Sequence, residues 1–88
     1  NKYVTAICGA PSVLAKAGVI KGKKATIYPG MENTLTGAQH STERVVIDGK
    51  IITSQGPGTT MEFALTLVNV LAGKSQAQAV AEEVLVRL

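Results

Sequence analysis

Aromatic side chains are scarce in this 88-residue chain, and their scarcity argues against one class of function. Only 3% of the residues are aromatic, namely Tyr3, Tyr28 and Phe63, and tryptophan is absent. Proteins that hold single-stranded nucleic acid stack successive bases on aromatic rings and need more of them. We therefore expect no specific nucleic-acid partner.

Cysteine and histidine are equally scarce, because the chain contains one of each, Cys8 and His40. A single cysteine cannot form a disulfide within the chain, which favours a reducing, cytoplasmic location. One cysteine with one histidine also cannot supply the three or four protein ligands of a zinc site. His40 lies in a polar stretch, where a solvent-exposed loop position is the favoured interpretation and a place near a pocket the alternative.

Long apolar runs and a start signal are missing too. No run approaches the roughly 20 residues of a membrane span, and no charged-then-apolar signal segment opens the chain. We expect no membrane partner. The chain begins with Asn1 and almost at once enters what looks like a central strand. This suggests a chain that starts within its fold, either through cleavage or because upstream sequence is missing.

Basic residues are in excess, but they do not form a strong patch. The formal net charge is +3, and the one local cluster is Lys21, Lys23 and Lys24. We interpret this cluster as a solvated loop before a strand, in preference to a phosphate-binding patch.

Runs rich in β-branched residues predict strands in the first two thirds of the chain. Residues 3–7 indicate a buried strand, and Asp48-Gly49 between two apolar runs is typical of a tight hairpin turn. The other elements predicted up to residue 54 are a helix over 11–16, a strand over 24–28, a helical turn over 32–35 and hairpin strands over 44–47 and 50–54.

The last third predicts two helices. Thr59 with Glu62 three residues later forms a capping box, and the helix over 60–72 is apolar around most of its circumference, so we expect it to be largely buried. Gly73 ends it, and Ser75 with Gln78 gives a second capping signal. The final helix places these apolar residues on one face: Ala77, Val80, Ala81, Val84, Leu85 and Leu88. The element order fits half of a layered α/β domain.

Cys8 lies where the first strand gives way to a helix. It is followed by Gly9, Ala10 and Pro11, and proline suits the first turn of a helix because its missing N–H has no partner there. The N–H groups at such a helix start favour an anion, which for cysteine is the nucleophilic thiolate. The alternative is a buried cysteine that acts as a small apolar residue.

Other candidate residues have simpler interpretations. The sequence Gly56-Pro57-Gly58 lacks the Gly-Lys-Ser/Thr of a phosphate-binding loop, so we expect it to line the cysteine pocket and begin the next helix. We interpret Glu62 as a helix cap in preference to a catalytic residue. We interpret the two methionines, Met31 and Met61, as packing residues.

These motifs together resemble the ThiJ/PfpI superfamily, closest to the branch of the Parkinson's-disease deglycase. The resemblance runs over essentially the whole chain, and the block from Ser54 to Thr59 is its most specific part. The matching segments are 6–11, 28–29, 48–49, 52–59 and 62–65. The resemblance implies the C-terminal half, residues 1–88, of a flavodoxin-like three-layer α/β/α sandwich with a cysteine nucleophile elbow.

The resemblance also implies a site and partners. Cys8 would be the nucleophile, the backbone N–H groups of Cys8 and Gly9 would hold an oxyanion, and Ala10, Tyr28 and Pro57 would line the pocket. No cofactor or metal is implied. A carboxylic acid that hydrogen-bonds the thiolate, and a glycine-rich oxyanion turn, belong to the N-terminal half in this family. We therefore expect that half as a partner, and a homodimer.

Two positions depart from related patterns. Protease-like members carry a histidine directly after the cysteine, where this chain has Gly9, so a Cys-His peptidase is disfavoured. Some deglycase relatives carry a histidine before the proline that follows the second strand, where this chain has Tyr28. A phenol is a poor base at neutral pH but can donate a hydrogen bond, so an imidazole base at this position is excluded.

Two functional hypotheses remain from different classes. The first is a cysteine-dependent glyoxalase or deglycase that acts on 2-oxoaldehydes or their adducts, with a stress-protective role. The second is a non-enzymatic redox sensor or chaperone that is switched by oxidation of Cys8. A role in thiamin biosynthesis, which the family name suggests, has no residue in its support.

Overall fold

A three-stranded sheet organises the chain. The computed structural model describes residues 2–86. In the sheet, β5 lies between β1, to which it is parallel, and β4, to which it is antiparallel. A second, parallel pair consists of β2 and β3. The strands are β1 (Val4–Ile7), β2 (Lys24–Ala25), β3 (Gln39–His40), β4 (Val45–Asp48) and β5 (Ile51–Ser54); the helices are α1 (Pro11–Lys16), α2 (Thr60–Ala72) and α3 (Lys74–Glu83), with 3₁₀ turns at Glu32–Thr34 and Pro57–Thr59.

The centre of this sheet is β5, not the first strand. All four residues of β5 are buried, whereas β1 pairs with β5 alone among the described residues and exposes Thr5. Within residues 2–86 the strand predicted over 3–7 therefore lies at an edge and is only partly buried, and its central place in a domain of which this chain is expected to be half stays a prediction. The strand itself is confirmed, and the hairpin places its second arm between the other two strands.

The predicted strand over 24–28 is shorter than expected. Only Lys24–Ala25 pairs in a ladder, with β3, a short exposed strand that the polar sequence gave no reason to predict. Beyond it, the Thr26 N–H donates to the buried Thr53 hydroxyl at 2.9 Å. The Tyr28 N–H donates to the Cys8 carbonyl at 2.9 Å. The N–H groups of Thr26 and Tyr28 are thus bonded to a side chain and to the elbow, so they do not pair with a neighbouring strand.

The hairpin is confirmed, with its turn displaced by one residue. Asp48 pairs with Ile51, so the two-residue loop is Gly49-Lys50. Gly49 has a φ of 62°, which glycine adopts without steric cost. The Asp48 carboxylate accepts the Lys24 N–H at 2.8 Å and ties the hairpin to β2.

Helix α2 has the predicted bounds but neither the predicted cap nor the predicted burial. The Thr59 hydroxyl bonds backward to the Gly56 backbone, and Glu62 pairs with Arg44, so the capping box is wrong. Only Phe63 and Leu65 are buried in this helix. The exposed fraction of Leu71 is 67%, because the hairpin and α3 cover one side of α2 alone within residues 2–86.

Helix α3 packs against α2 through Ala77 and Ala81, which are both buried. It begins at Lys74 with Gly73 as its N-cap residue, so the predicted Ser75 cap is wrong. Val84 and Leu85 lie beyond its end and are exposed, and Leu88 of the predicted apolar face is outside the described residues. No helix within residues 2–86 is long and apolar enough to cross a membrane.

The main core lies between α1, β2 and β5. Ile20 and Ile27 are completely inaccessible and pack with smaller buried residues. Ile27 directly precedes Tyr28, so this core supports the segment that contacts the elbow. The buried cluster consists of Ala15, Ile20, Ala25, Ile27, Leu35 and Ile51.

Candidate functional site

Cys8 occupies a strained elbow between β1 and α1. Its φ of 66° lies in the left-handed region, which non-glycine residues rarely adopt. The Cys8 N–H donates to the Ser54 carbonyl at 3.1 Å, and the Cys8 carbonyl accepts from Tyr28 at 2.9 Å. Backbone conformations of this kind cost about 1–3 kcal/mol and persist where the surrounding structure imposes them. Here the surrounding structure holds the residue from both sides.

The thiol is free and partly exposed. A buried cysteine that serves only as a small apolar residue would be inaccessible, so the partial exposure favours the reactive alternative. The sharp turn continues with the Ala10 N–H donating to the Ile7 carbonyl at 3.2 Å. This geometry places Cys8 in a sharp turn at the end of a strand, as in nucleophile elbows of α/β enzymes.

The start of α1 leaves one backbone donor beside the sulfur. Pro11 has no N–H and is fully buried, and the Ser12 hydroxyl and N–H both donate to the Gly9 carbonyl, at 2.7 and 3.1 Å. The Cys8 N–H is already bonded to Ser54, whereas the Gly9 N–H meets no acceptor within the described chain. Gly9 is therefore the donor available for an anion at this elbow.

A tight turn over residues 28–31, called the 28–31 turn below, lies against the elbow. The Met31 N–H donates to the Tyr28 carbonyl at 3.0 Å, and the Gly30 N–H donates to both oxygens of Glu32 at 3.0 Å. The Gly30 hydrogen bond lowers the pKa of the Glu32 carboxyl, because it favours the charged form. The turn is thus fixed by hydrogen bonds of its own.

Tyr28 brings this turn to the Gly56-Pro57-Gly58 loop. A Cβ built on Gly56 would lie 3.3 Å from Cδ1 of the Tyr28 ring, so the ring rests against the Gly56 backbone. Tyr28 is 47% exposed, which leaves one side of the ring open to solvent. Pro57 and Ala10 are both exposed. The structure thus joins Tyr28 directly to Cys8 and to the loop that contains Pro57.

The loop is fixed from its far side by polar contacts. The Thr59 hydroxyl accepts the Gly56 N–H at 3.2 Å and lies 2.6 Å from the Ser54 hydroxyl, and Ser54 and Thr59 are both buried. Arg44 donates through Nη2 to the Gly58 carbonyl at 3.0 Å. Ser54 also accepts the Cys8 N–H through its carbonyl. One strand end therefore positions both the loop and the elbow.

Arg44 and Glu62 form a bidentate ion pair on the surface. Arg44 Nε donates to the two Glu62 oxygens at 2.8 and 2.9 Å. The hydrogen bonds from Arg44 lower the pKa of the Glu62 carboxyl, and the same pair raises the pKa of Arg44. The carboxylate of Glu62 therefore holds the loop through Arg44, and the structure gives it no contact with Cys8.

His40 lies apart from the elbow. It is an exposed residue of β3 and pairs with Ala25, which agrees with a solvent-exposed position although it stands in a short strand. Among residues 2–86 no three His, Cys, Asp or Glu side chains are close enough to hold a metal ion together. A groove of about 530 Å³ lies between α2 and α3, and none of the elbow residues lines it.

Sequence reasoning missed the contribution of Met31. A Cβ on Gly9 would lie 3.2 Å from both Sδ and Cε of Met31, so this side chain rests directly on the residue after the cysteine. The only sequence signal was the Tyr28-Pro29-Gly30 turn before it, which does not specify where the next side chain points. The part that Ser54 plays at the elbow was also missed, because its carbonyl accepts the Cys8 N–H from a residue distant in sequence.

A parallel strand, a sharp turn at Cys8 and a following helix define an α/β protein with a cysteine at a strand end. The chain belongs to the DJ-1/PfpI family, whose sequence profile matches residues 1–70. The resemblance seen in the motifs is thereby confirmed.

Individual relatives cover most of this chain. Protein dj-1beta of Drosophila melanogaster is 49% identical over 85 residues, which is 94% of this chain and 46% of that protein. The Parkinson disease protein 7 homolog of Danio rerio is 42% identical over 77 residues, 84% of this chain and 41% of that protein. The chain thus spans about half the length of these relatives.

Solved structures agree in fold. The crystal structure of Drosophila melanogaster DJ-1beta superposes with a TM-score of 0.94 at 48% identity, over 98% of this chain and 47% of that one. Toxoplasma gondii DJ-1, solved in an oxidized form, gives a TM-score of 0.92 at 38% identity, over 99% and 48%. The prediction of an α/β, flavodoxin-like fold of which this chain forms about half is confirmed.

Proposed function

We propose that this chain carries the nucleophile of a cytoplasmic, cysteine-dependent glyoxalase or deglycase with a stress-protective role. Its substrates are 2-oxoaldehydes or their adducts. The observation that carries the proposal is the left-handed φ of 66° at Cys8. Cys8 is strained, held by hydrogen bonds on both sides and partly exposed at a strand end. These features suit a cysteine whose sulfur must reach a substrate, because a cysteine that only fills space in a core requires none of them.

The reaction adds water to a 2-oxoaldehyde. The Cys8 thiolate attacks the aldehyde carbon, forming a C–S bond, and the resulting oxyanion takes a proton to give a hemithioacetal. The proton on that carbon then moves to the neighbouring ketone carbon, which yields a 2-hydroxy thioester. Water breaks the C–S bond and releases a 2-hydroxy acid with regeneration of the thiolate. The balance requires no oxidant, reductant, cofactor or metal.

Each residue near the elbow has a proposed part in this reaction. The Gly9 N–H stabilises the oxyanion, joined by the Cys8 N–H if its bond to Ser54 is shared. Ala10, Tyr28 and Pro57 line the pocket. The proton transfers need a carboxylic acid, which we assign to the complementary half of the domain, either as a second chain or as a further segment. The complete protein is proposed to be a homodimer.

The test is turnover of methylglyoxal by the natural protein, checked by an intact-mass spectrum for a second polypeptide. We expect methylglyoxal to disappear as the 2-hydroxy acid appears. Cys8→Ser should lower the rate on the order of 10³-fold or more, as loss of a covalent nucleophile does in other enzymes. Equal rates for both proteins would overturn the proposal, as would consumption of the aldehyde without formation of the acid.

A redox role for Cys8 is the second candidate. It is favoured by the partly exposed free thiol and by the relative whose structure is described as oxidized. One equivalent of peroxide should oxidise the Cys8 thiolate to a sulfenic acid with release of hydroxide, change the state of the protein once and abolish turnover of methylglyoxal. A second equivalent would oxidise the sulfenic acid to a sulfinic acid with release of water. A sensor or chaperone gains its activity in the oxidised form, whereas the enzyme has activity in the reduced form only.

A further inference from the structure

Gly9 and Met31 meet directly beside the nucleophile. A Cβ on Gly9 would lie 3.2 Å from Sδ and from Cε of Met31, which is closer than ordinary van der Waals contact. The φ of Gly9 is not positive, so its backbone conformation is open to other residues. A side chain at residue 9 would therefore require the end of the Met31 side chain to shift by a few tenths of an ångström.

Met31 is held in this position from two directions. Its N–H closes the 28–31 turn on the Tyr28 carbonyl at 3.0 Å, and Tyr28 is in turn bonded to the Cys8 carbonyl. Its partly buried side chain also packs against the core that contains Ile27 and Leu35. The thioether thus extends from an anchored core to the residue next to the sulfur.

We infer that Met31 is a specificity-determining residue, which fills the volume beside Cys8 that a side chain at residue 9 would take. It limits the carbonyl substrate to a short group next to the reacting carbon, and its thioether makes that part of the pocket apolar. The substrate class is a 2-oxoaldehyde with a small apolar substituent, and this part of the inference rests on the proposed function.

The steric part is tested without any enzymatic activity. Cys8 is the only cysteine, so its alkylation by N-methylmaleimide and by the bulkier N-phenylmaleimide can be followed by intact mass. The ratio of the two rates is normalised to the urea-unfolded chain. Met31→Ala should raise the relative rate of the bulky reagent on the order of tenfold, the discrimination that one or two methylenes give in a pocket.

Matched variants make the result decisive. Met61→Ala removes the other methionine, on α2, and should leave the ratio unchanged. Gly9→Ala pushes on Met31 from the opposite side and should lower the ratio. If Met31→Ala unfolds the chain, its ratio will equal that of the urea-unfolded chain and Gly9→Ala decides the question. An unchanged ratio in folded Met31→Ala, or in Gly9→Ala, overturns the inference.

The substrate part is tested on the natural protein with methylglyoxal and phenylglyoxal. Met31→Ala should shift the ratio of the two kcat/KM values toward phenylglyoxal by about tenfold, and Met61→Ala should not. If the wild type turns over neither aldehyde, the proposed function fails while the maleimide ratio still decides the role of Met31. If it turns over both and Met31→Ala shifts nothing, the inference fails alone.

Discussion

The elbow and the α2–α3 pair differ in how far contacts within this chain cover their residues. Around Cys8, backbone and side-chain groups bond to one another over long stretches of sequence, as in the contacts of Cys8 with Ser54 and Tyr28. In α2, by contrast, the large apolar side chains of Met61 and Leu71 are exposed. The elbow geometry is thus built by contacts within this chain, whereas the helical layer presents apolar surface that these contacts do not cover.

The largest expected effect is a difference in unfolding free energy between a substitution behind the elbow and one on α2. Ile27→Ala removes a fully buried side chain behind the elbow and should lower the free energy of unfolding by about 2–5 kcal/mol. Leu71→Ala, whose side chain is 67% exposed, should change it by less than about 0.5 kcal/mol. Urea unfolding followed by circular dichroism measures both. Similar losses for the two variants would remove the contrast.

The natural protein sharpens the same comparison. If the complementary half of the domain covers α2, Leu71→Ala should cost about 2 kcal/mol or more there, as a buried leucine does. The difference between the two measurements would then locate the surface that the complementary half covers. A small cost in both proteins would place that half elsewhere.

The second effect concerns the polar contacts behind the loop. Thr59→Val keeps the side-chain shape but leaves the buried Gly56 N–H without its acceptor and removes one of the two partners of the Ser54 hydroxyl, which should cost about 1–3 kcal/mol. Thr66→Val is the matched control, because its hydroxyl donates to a helix carbonyl on α2. We expect it to cost less than about 0.5 kcal/mol. Equal costs measured by urea unfolding would contradict the special position of Thr59.

The third effect is a coupling between two residues of the elbow. Gly9→Ala and Met31→Ala should be non-additive by about 0.5–1.5 kcal/mol, because the smaller residue at 31 makes room for the new Cβ. Gly58→Ala with Met31→Ala is the control pair, since a Cβ on Gly58 meets nothing within 4 Å. A double-mutant cycle of unfolding free energies measures both pairs. An additive Gly9 pair would mean that Met31 moves aside without cost.

The sequence predicted the parts of the site that depend on local rules. Cys8 before Gly9 and Pro11 indicated the strand-to-helix elbow, and Asp48-Gly49 indicated the hairpin, because both are written in adjacent residues. The contact of Met31 with Gly9 could not be predicted in this way. It depends on how the 28–31 turn and the elbow, about 20 residues apart in sequence, are placed relative to one another, and no local pattern encodes that placement.

In the helical layer, the sequence pattern predicted more burial than the structure shows. The pattern over 60–72 predicted a largely buried helix, yet Met61 and Leu71 are exposed in the structure. The pattern records which side chains are apolar, and burial also requires a partner surface. Likewise Thr59 and Glu62 fit the capping-box pattern, but Arg44 and Ser54 compete for the same side chains and prevail. Local propensity was outweighed by tertiary contacts in both cases.

The smallest expected effect is the pH dependence of the ion pair behind the loop. Arg44 lowers the pKa of Glu62 below its ordinary value of 4.5, so the pair stabilises the fold above that value. This stabilisation is lost as the pH falls through the lowered pKa. Both side chains are well exposed, which keeps the effect small. Glu62→Gln should therefore flatten the fall in unfolding free energy below pH 4.5, whereas Glu82→Gln on α3 should leave it unchanged. If Glu62→Gln left the acid slope as steep as in the wild type, the loop beside Cys8 would not depend on this carboxylate for its position.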